Sequence, residues 1–147
     1  MPKVKSNLKP GTHWQVVHFH SHVMMDALAK HLLGCAPFGM TDIGEVMEIY
    51  CQLTDSSEES WIDKWSGLAK RLQEQAGEKE QKGHLISAAE LYLRASTYWR
   101  TSLICFNQPK DERIEKYAGI AAKCYEDYLR ISGYPGVAID IPYEDAT

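Results

Sequence analysis

Histidines cluster near the start of the sequence, and they are the residue type best suited there to bind a metal ion or to orient a ligand. The cluster and its neighbours are His13, His18, His20, His22, Asp26 and His31. In a helix, His18, His22 and Asp26 would share one face at positions i, i+4 and i+8. In a strand, His18, His20 and His22 would share a face instead.

Three interpretations of this cluster stay open. The histidines could hold a metal ion, although their spacing matches no specific zinc signature. They could be solvent-facing or bonded to nearby backbone. They could also face a substrate channel and orient a polyphenolic or ketone ligand. The residues predicted to bind substrate are His18, Phe19, His20 and His22, and we predict no metal site.

The cysteines offer little chemistry of their own. Cys35, Cys51, Cys105 and Cys124 stand far apart and form no CxxC pair, so we expect neither a disulfide framework nor a zinc knuckle. Cys105 and Cys124 fall on apolar helical faces, where burial raises the pKa of a thiol and leaves it inert. A cysteine nucleophile paired with a histidine is therefore set aside.

The totals restrict the class of protein. The 147 residues fit one domain with a real core, and 44% hydrophobic with 24% charged residues is the composition of a globular protein. The net charge of −4, with acids and bases interspersed, gives no footprint for nucleic acid or a membrane surface. The first residues lack the apolar core of a secretory signal, and no apolar run approaches a membrane span. We predict a soluble, cytoplasmic protein without a cofactor.

One stretch, His84–Phe106, is predicted to be the central helix that positions the rest. Two apolar stripes recur on it at helical spacing, so it should contact neighbours on more than one side. The first stripe is Ala88, Tyr92, Ala95, Trp99 and Phe106, and the second is Leu91, Ala95, Tyr98, Ser102 and Cys105. A narrow polar strip carries Glu90 and Arg94, which form a favourable i, i+4 pair. The second stripe is predicted to face a further domain or a dimer partner.

Capping and stop signals divide the remaining chain into helices. A first helix covers Val23 to Leu33 and ends at Gly34, and a second opens at Asp42 with Glu45 in capping-box spacing. A third begins at Ser56 and Glu59, carries Trp61 and Trp65, and frays over residues 77–82. A last helix, capped by Asp111 and ended by Gly133, has a small-residue face (Ala118, Gly119, Ala121 and Ala122) that should approach Trp99. The aromatic residues at helical spacing, including Tyr92, Tyr98 and Trp99, are predicted to be core.

The tail differs in kind. Val137, Ile139 and Ile141 alternate with other residues, a period of two that predicts a strand over Val137–Pro142. A lone strand needs a sheet, so we expect a longer protein or, alternatively, a strand swapped between subunits. The predicted organisation is an arm at residues 1–12, a helical domain of about five helices at 13–135, and the first strand of a sheet domain at 136–147.

The central helix and the tail together resemble a known family. The pattern Gly83-His84, Ala88-Ala89-Glu90, Tyr92-Leu93-Arg94-Ala95, Tyr98-Trp99 is similar to the N-terminal helical region of a branch of α/β-hydrolases. The Trp-rich helix before it and the strand Val-Ala-Ile-Asp-Ile-Pro-Tyr-Glu after it follow in the same order. This branch includes esterases similar to the fermentation-respiration switch protein, 2,6-dihydroxypseudooxynicotine hydrolase and polyketide-shortening hydrolases. The resemblance covers roughly residues 61–144.

The resemblance implies a serine hydrolase that cleaves an ester or a C–C bond beside a carbonyl, with a helical lid that shapes the pocket and supports a homodimer. The family's G-x-S-x-G nucleophile elbow occurs nowhere in the 147 residues, so no catalytic residue is carried over to this segment. The implied partners are the sheet domain with the Ser-Asp-His triad and a small, possibly carrier-tethered substrate of aromatic or polyketide type.

Two other classes of function compete with this one. A tetratricopeptide-like adaptor would bind a peptide in a groove, and the Ala-rich helices around residues 88–95 and 118–122 favour it, but no 34-residue repeat is present. A metal-dependent enzyme would be built on the histidine cluster.

Overall fold

The computed structural model describes residues 17–108, 110–137 and 139. It contains five α-helices: α1 (Val23–Cys35), α2 (Ile43–Gln52), α3 (Glu58–Gln81), α4 (Leu85–Ser102) and α5 (Glu112–Ser132). Short 3₁₀ turns follow α1 (Ala36–Phe38) and α4 (Leu103–Cys105). The described residues form no strand, and the mainly α prediction is confirmed. Most of the predicted strand Val137–Pro142, like His13 and the arm, lies outside the described residues.

Side-chain caps begin three of the helices. Asp42 accepts a hydrogen bond from the backbone N–H of Glu45, and Asp111 accepts one from that of Arg113. The cap of α3 is Ser57 rather than the predicted Ser56. Asp55 explains the shift, because its carboxylate binds both the backbone N–H and the hydroxyl of Ser57.

The predicted fraying of residues 77–82 is wrong, because α3 continues to Gln81. Glu80, in its last turn, accepts a hydrogen bond from the Tyr92 hydroxyl of α4 and forms an ion pair with Arg130 of α5. These contacts hold a polar helix end that would otherwise have only water around it.

Helix α4 is the centre of the bundle, as predicted. It packs along α3 on one side and along α5 on another. Its first stripe is buried at Ala88, Tyr92, Ala95 and Trp99, and the tryptophans Trp61 and Trp65 of α3 are fully buried beside it. The prediction that these aromatic residues form core is confirmed.

The second stripe of α4 is not a free surface, which corrects the prediction. Tyr98 and Ser102 are fully buried within this chain, because Tyr98 stacks on Trp65 with 5.4 Å between ring centroids. The predicted pair of Glu90 and Arg94 is also wrong. Arg94 binds Glu45 of α2 instead, with Nε 3.1 Å from Oε2, and Glu90 is exposed.

The small-residue face of α5 also differs from the prediction. Ala118, Gly119 and Ala122 are exposed, and only Ala121 is buried. Trp99 meets Tyr117 instead, with 4.8 Å between ring centroids. A large aromatic residue thus fills the space beside Trp99, and Ala118, Gly119 and Ala122 face outward.

Helices α1 and α2 form a second layer against α3 and α4. The Tyr50 hydroxyl of α2 donates to the Met25 carbonyl of α1 at 2.6 Å, and the Tyr50 ring meets Trp61 and Trp65 edge-on. Tyr50 therefore joins α1 to the aromatic core and fixes where the histidine-rich segment enters the bundle.

Candidate functional site

The histidine-rich segment is held by one carboxylate, that of Asp26 in α1. Asp26 accepts hydrogen bonds from the backbone N–H of Phe19 at 2.7 Å and, more weakly, from that of His20 at 3.4 Å. Its other oxygen lies 2.7 Å from Lys30 Nζ and 3.1 Å from His18 Nδ1. Asp26 thus ties the segment before α1 back onto the helix.

The electrostatics of Asp26 follow from these contacts. Burial alone would raise the pKa of the carboxyl, but the hydrogen bonds from Lys30, Phe19 and His18 outweigh it and hold the pKa of Asp26 well below its usual range. Asp26 is therefore a charged structural group, and proton transfer near neutral pH is not its chemistry.

The predicted site residues do not converge on one point. His20 Nε2 lies 3.2 Å from the carbonyl oxygen of Asp55, and His20 Nδ1 accepts from the backbone N–H of His22. Because α1 begins only at Val23, His18 and His22 share no helical face with Asp26. In the part of the chain that the structure describes, no group of three His, Cys, Asp or Glu side chains could hold a metal ion. His18, Phe19 and His20 do border one open depression of about 460 Å³ with Ser21.

Cys124 is buried and Cys105 is half-buried. Burial raises the pKa of Cys105 to about 11, with a smaller contribution from the charge of Glu58. Burial likewise raises the pKa of Cys124 to about 11, with Asp127 adding to the effect. A raised pKa disfavours the thiolate, which is the nucleophilic form of cysteine.

A groove between α3 and α5, with α4 as its floor, is a second candidate site. We call it the α3–α5 groove; its volume is about 810 Å³. Trp99 of α4 forms the apolar floor, and Tyr117 and Ile120 of α5 form the apolar part of one wall. Trp99 Nε1 donates to Gln73 Oε1 at 3.1 Å. The size lies within the range of ligand pockets in proteins.

Two Glu–Arg bridges join α3 to α5 at the ends of this groove. At one end the Arg113 guanidinium binds both oxygens of Glu59, each at 2.8 Å, and Asp111 holds the same guanidinium. At the other end Arg130 binds Glu80 at 2.8 Å. These bridges link the two walls at both ends.

An apolar furrow between α4 and α5 is the third candidate, and we call it the α4–α5 face. On α4 it follows Ile86, Ala89, Leu93, Ser96 and Arg100, and Leu103 continues it in the turn after that helix. On α5 it follows Ala118, Ala122, Tyr125, Tyr128 and Ser132. Phe38 and Met40 from the loop after α1 extend it. Ile86 is 81% exposed and Phe38 is 75% exposed, so large apolar side chains stand in solvent here.

Neither the α3–α5 groove nor the α4–α5 face is among the predicted site residues. Ile86 and Leu93 are apolar residues of α4 that belong to neither predicted stripe. They mark a third apolar stripe, from which the α4–α5 face could have been predicted. Ser96 and Arg100 interrupt that third stripe and hide it. The groove depends on the spacing between two helices, which no pattern within one helix reports.

Comparison with known proteins finds relatives of this helical bundle that are named α/β-hydrolases. The α/β-hydrolase xenA of Xenoacremonium sinensis is 31% identical over 127 residues, which are 86% of this chain and 30% of that protein. The α/β-hydrolase pydG of an Acremonium species is 28% identical over 86% of this chain and 29% of its own length. The 20-hydroxy-prefusarin hydrolase FUS2 of Gibberella moniliformis is 28% identical over 77% of this chain and 27% of its own.

These matches confirm the predicted resemblance: the chain is related to the α/β-hydrolases over most of its length. It spans about 30% of the length of the curated relatives it matches. No protein-family model matches the chain, and no solved structure matches it. Within the described residues, no helix is both long and apolar enough to cross a membrane.

Proposed function

We propose that this chain is the lid and scaffold part of a serine α/β-hydrolase that cleaves an ester or a C–C bond next to a carbonyl. The observation that carries the proposal is the match to proteins named α/β-hydrolases over 86% of the chain but only about 30% of their length. In the complete enzyme a serine would attack the substrate carbonyl, a histidine would take its proton, and backbone N–H groups would hold the oxyanion.

The α4–α5 face is the surface that we assign to the sheet domain of this enzyme. Neighbouring large apolar side chains that stand exposed on a globular unit are typical of interaction surfaces. Phe38, Ile86 and Tyr125 would then be buried in the complete protein rather than left in water. The same face is the candidate for contacts in a homodimer.

The histidine-rich segment keeps its proposed role in substrate binding, through His18, Phe19, His20 and His22. Supporting it, the side chains of the first three border an open depression, and Asp26 fixes the backbone from which they project. An aromatic or polyketide-type substrate would suit these rings. One relative's name, 20-hydroxy-prefusarin hydrolase, specifies a particular substrate for that relative.

The direct test is to read the gene beyond residue 147 and to assay its complete product. We expect further strands and a G-x-S-x-G motif. The serine of this motif should react with a fluorophosphonate probe, and the variant with Ser→Ala at that position should not be labelled. A stop codon directly after residue 147, or a complete product that never labels, would overturn the proposal.

A role for His20 is tested in the same product. His20→Ala should lower kcat/KM for the substrate while the thermal unfolding midpoint stays close to that of the wild type. His31→Ala, on the exposed side of α1, is the matched control and should leave both unchanged. Equal values of kcat/KM for the wild type and His20→Ala would contradict a role of His20 in substrate binding.

The adaptor function is the second candidate, and the α3–α5 groove is the observation that favours it. A peptide-binding module needs no nucleophilic serine, so it would bind its peptide even if the complete gene product had none. The labelling experiment above separates the two functions.

A further inference from the structure

His18 and His20 differ in what their rings can still bind. His20 Nδ1 accepts a hydrogen bond from the backbone N–H of His22 at 3.0 Å, and His20 Nε2 lies 3.2 Å from the carbonyl oxygen of Asp55. Because a carbonyl oxygen can only accept, the two contacts together require the neutral ring with its proton on Nε2. Both nitrogens of His20 are therefore occupied, and His20 serves the site by holding the segment in place.

The His18 ring has one nitrogen engaged and one left for a ligand. Its Nδ1 lies 3.1 Å from Asp26 Oδ2, and Lys30 Nζ lies 2.7 Å from the same oxygen. Since Lys30 already balances the charge of Asp26, the contact does not require a protonated ring. A carboxylate beside Nδ1 fixes the proton of the neutral ring there and leaves Nε2 as an acceptor. Among the residues that the structure describes, Nε2 of His18 has no hydrogen-bond partner.

The support of the His18 ring is rigid, and the ring itself is accessible. The Asp26 side chain is only 9% exposed, and it also accepts from the backbone N–H of Phe19 at 2.7 Å. The Phe19 ring meets Tyr50 edge-on, with 6.4 Å between ring centroids, so the backbone next to His18 is tied to the aromatic core. The His18 side chain is 58% exposed and borders the open depression. A fixed imidazole thus borders a space that a ligand can enter.

We propose that His18, oriented by Asp26, accepts a hydrogen bond from a hydroxyl group of the ligand, and that the depression selects ligands with a phenol or an enol. A neutral imidazole nitrogen without a proton accepts and cannot donate, so it favours a ligand that donates. Phenols and enols are the acidic hydroxyls that an aromatic or polyketide-type substrate offers. The choice of this ligand class rests on the proposed function, whereas the pair of His18 and Asp26 is a property of this chain alone.

The protonation of the two rings is the first test. In the chain of residues 1–147 labelled with nitrogen-15 at histidine, long-range proton–nitrogen NMR spectra at mildly alkaline pH distinguish the protonated ring nitrogen from the unprotonated one. His18 should carry its proton on Nδ1, and His20 should carry it on Nε2. A proton on Nε2 of His18 would overturn the proposal, because this nitrogen would then donate.

A matched pair of ligands tests the hydroxyl. 2-Naphthol and 2-methoxynaphthalene have the same rings, but only 2-naphthol can donate a hydrogen bond. Binding is followed at the backbone amide resonance of Ser21, which also borders the depression, so binding elsewhere on the chain is not counted. We expect 2-naphthol to bind about fivefold more tightly, the contribution of one ordinary hydrogen bond. Equal affinities, or no binding of 2-naphthol, would overturn the proposal.

The variant His18→Asn removes the acceptor and keeps the contact with Asp26. The asparagine amide can still donate to Asp26, but no atom replaces Nε2. The preference for 2-naphthol should fall to about one, while the thermal unfolding midpoint stays near that of the wild type. A preference that survives in His18→Asn would contradict the role of Nε2.

His31→Asn makes the same substitution at an exposed position of α1 outside the depression and should keep the fivefold preference. Loss of the preference in this control as well would contradict the assignment to His18. All of these measurements proceed without a nucleophilic serine. Failure of ligand binding here and failure of fluorophosphonate labelling in the complete gene product are therefore separate results.

Discussion

The two sides of α4 are built on different principles. Toward α3 and α2 it buries Tyr98 beside Trp61 and Trp65, and every one of these three is fully buried. Toward the α4–α5 face it leaves Ile86 and, from the neighbouring loop, Phe38 largely in solvent. Among the residues that the structure describes, the first side is fully packed, whereas the second leaves large apolar side chains exposed. The difference is the basis for our proposal that the α4–α5 face meets the sheet domain.

The largest expected effect of a substitution falls on the completed side. Trp61→Ala removes a fully buried ring whose Nε1 donates to the Thr101 carbonyl at 2.9 Å, and it should lower the free energy of unfolding by about 4 kcal/mol. Denaturation in urea, followed by circular dichroism, measures it. Phe38→Ala on the exposed side should cost less than about 0.5 kcal/mol. If the two variants lost similar amounts of unfolding free energy, the two sides of α4 would not differ as described.

Tyr98→Phe should produce a smaller loss on the same side. The Tyr98 hydroxyl accepts from the backbone N–H of Asp42 at 2.9 Å and donates to Glu45 at 2.9 Å. In a capping box the Glu45 side chain would itself accept from the backbone N–H of Asp42, and here the Tyr98 hydroxyl lies between the two groups. Its removal should cost about 1–2 kcal/mol. Tyr125→Phe on the α4–α5 face is the control, and we expect no measurable change in its unfolding midpoint.

Asp26→Asn should make stability less dependent on pH. The pKa of Asp26 is lowered in the folded state, so its charge stabilises the fold above the unfolded value of about 3.9, and this contribution is lost as the pH falls through the folded value. At pH 7 the variant should be about 1–2 kcal/mol less stable. The gap to the wild type should narrow between pH 5 and acid, as urea titrations at several pH values would show.

The matching control is Glu90→Gln, because Glu90 is exposed on α4. That variant should follow the wild type at every pH. A constant gap between wild type and Asp26→Asn down to strongly acidic pH would mean that Asp26 acts through shape rather than charge.

Much of this architecture was predictable from local patterns. Caps at Asp42 and Asp111, the stop at Gly133 and the apolar periodicity around Trp99 are properties of single segments, and they predict five helices with α4 at the centre. The predictions that were wrong concern contacts between side chains of different helices. Arg94 had a partner within its own helix in Glu90 but binds Glu45 of another, and no pattern along α4 reports that neighbour.

The candidate sites were less predictable for the same reason. The histidine cluster is evident in the sequence. Its geometry, however, depends on the start of α1 at Val23 and on the hydrogen bond from the backbone N–H of Phe19 to Asp26. The α4–α5 face was hidden because Ser96 and Arg100 interrupt its stripe. The Glu80–Arg130 bridge that closes the groove joins residues far apart in sequence.

The smallest effect on stability, and the most direct test of the comparison, comes from the exposed side. The chain of residues 1–147 and its variant Phe38→Ser/Ile86→Ser should unfold within about 0.5 kcal/mol of each other, since both substituted side chains are exposed. The measurement is binding of the dye 8-anilinonaphthalene-1-sulfonate together with sedimentation velocity. We predict that the wild-type chain binds the dye or self-associates and that the double variant does so far less. A monodisperse wild-type chain that leaves the dye unbound would contradict the assignment of the α4–α5 face as an interface.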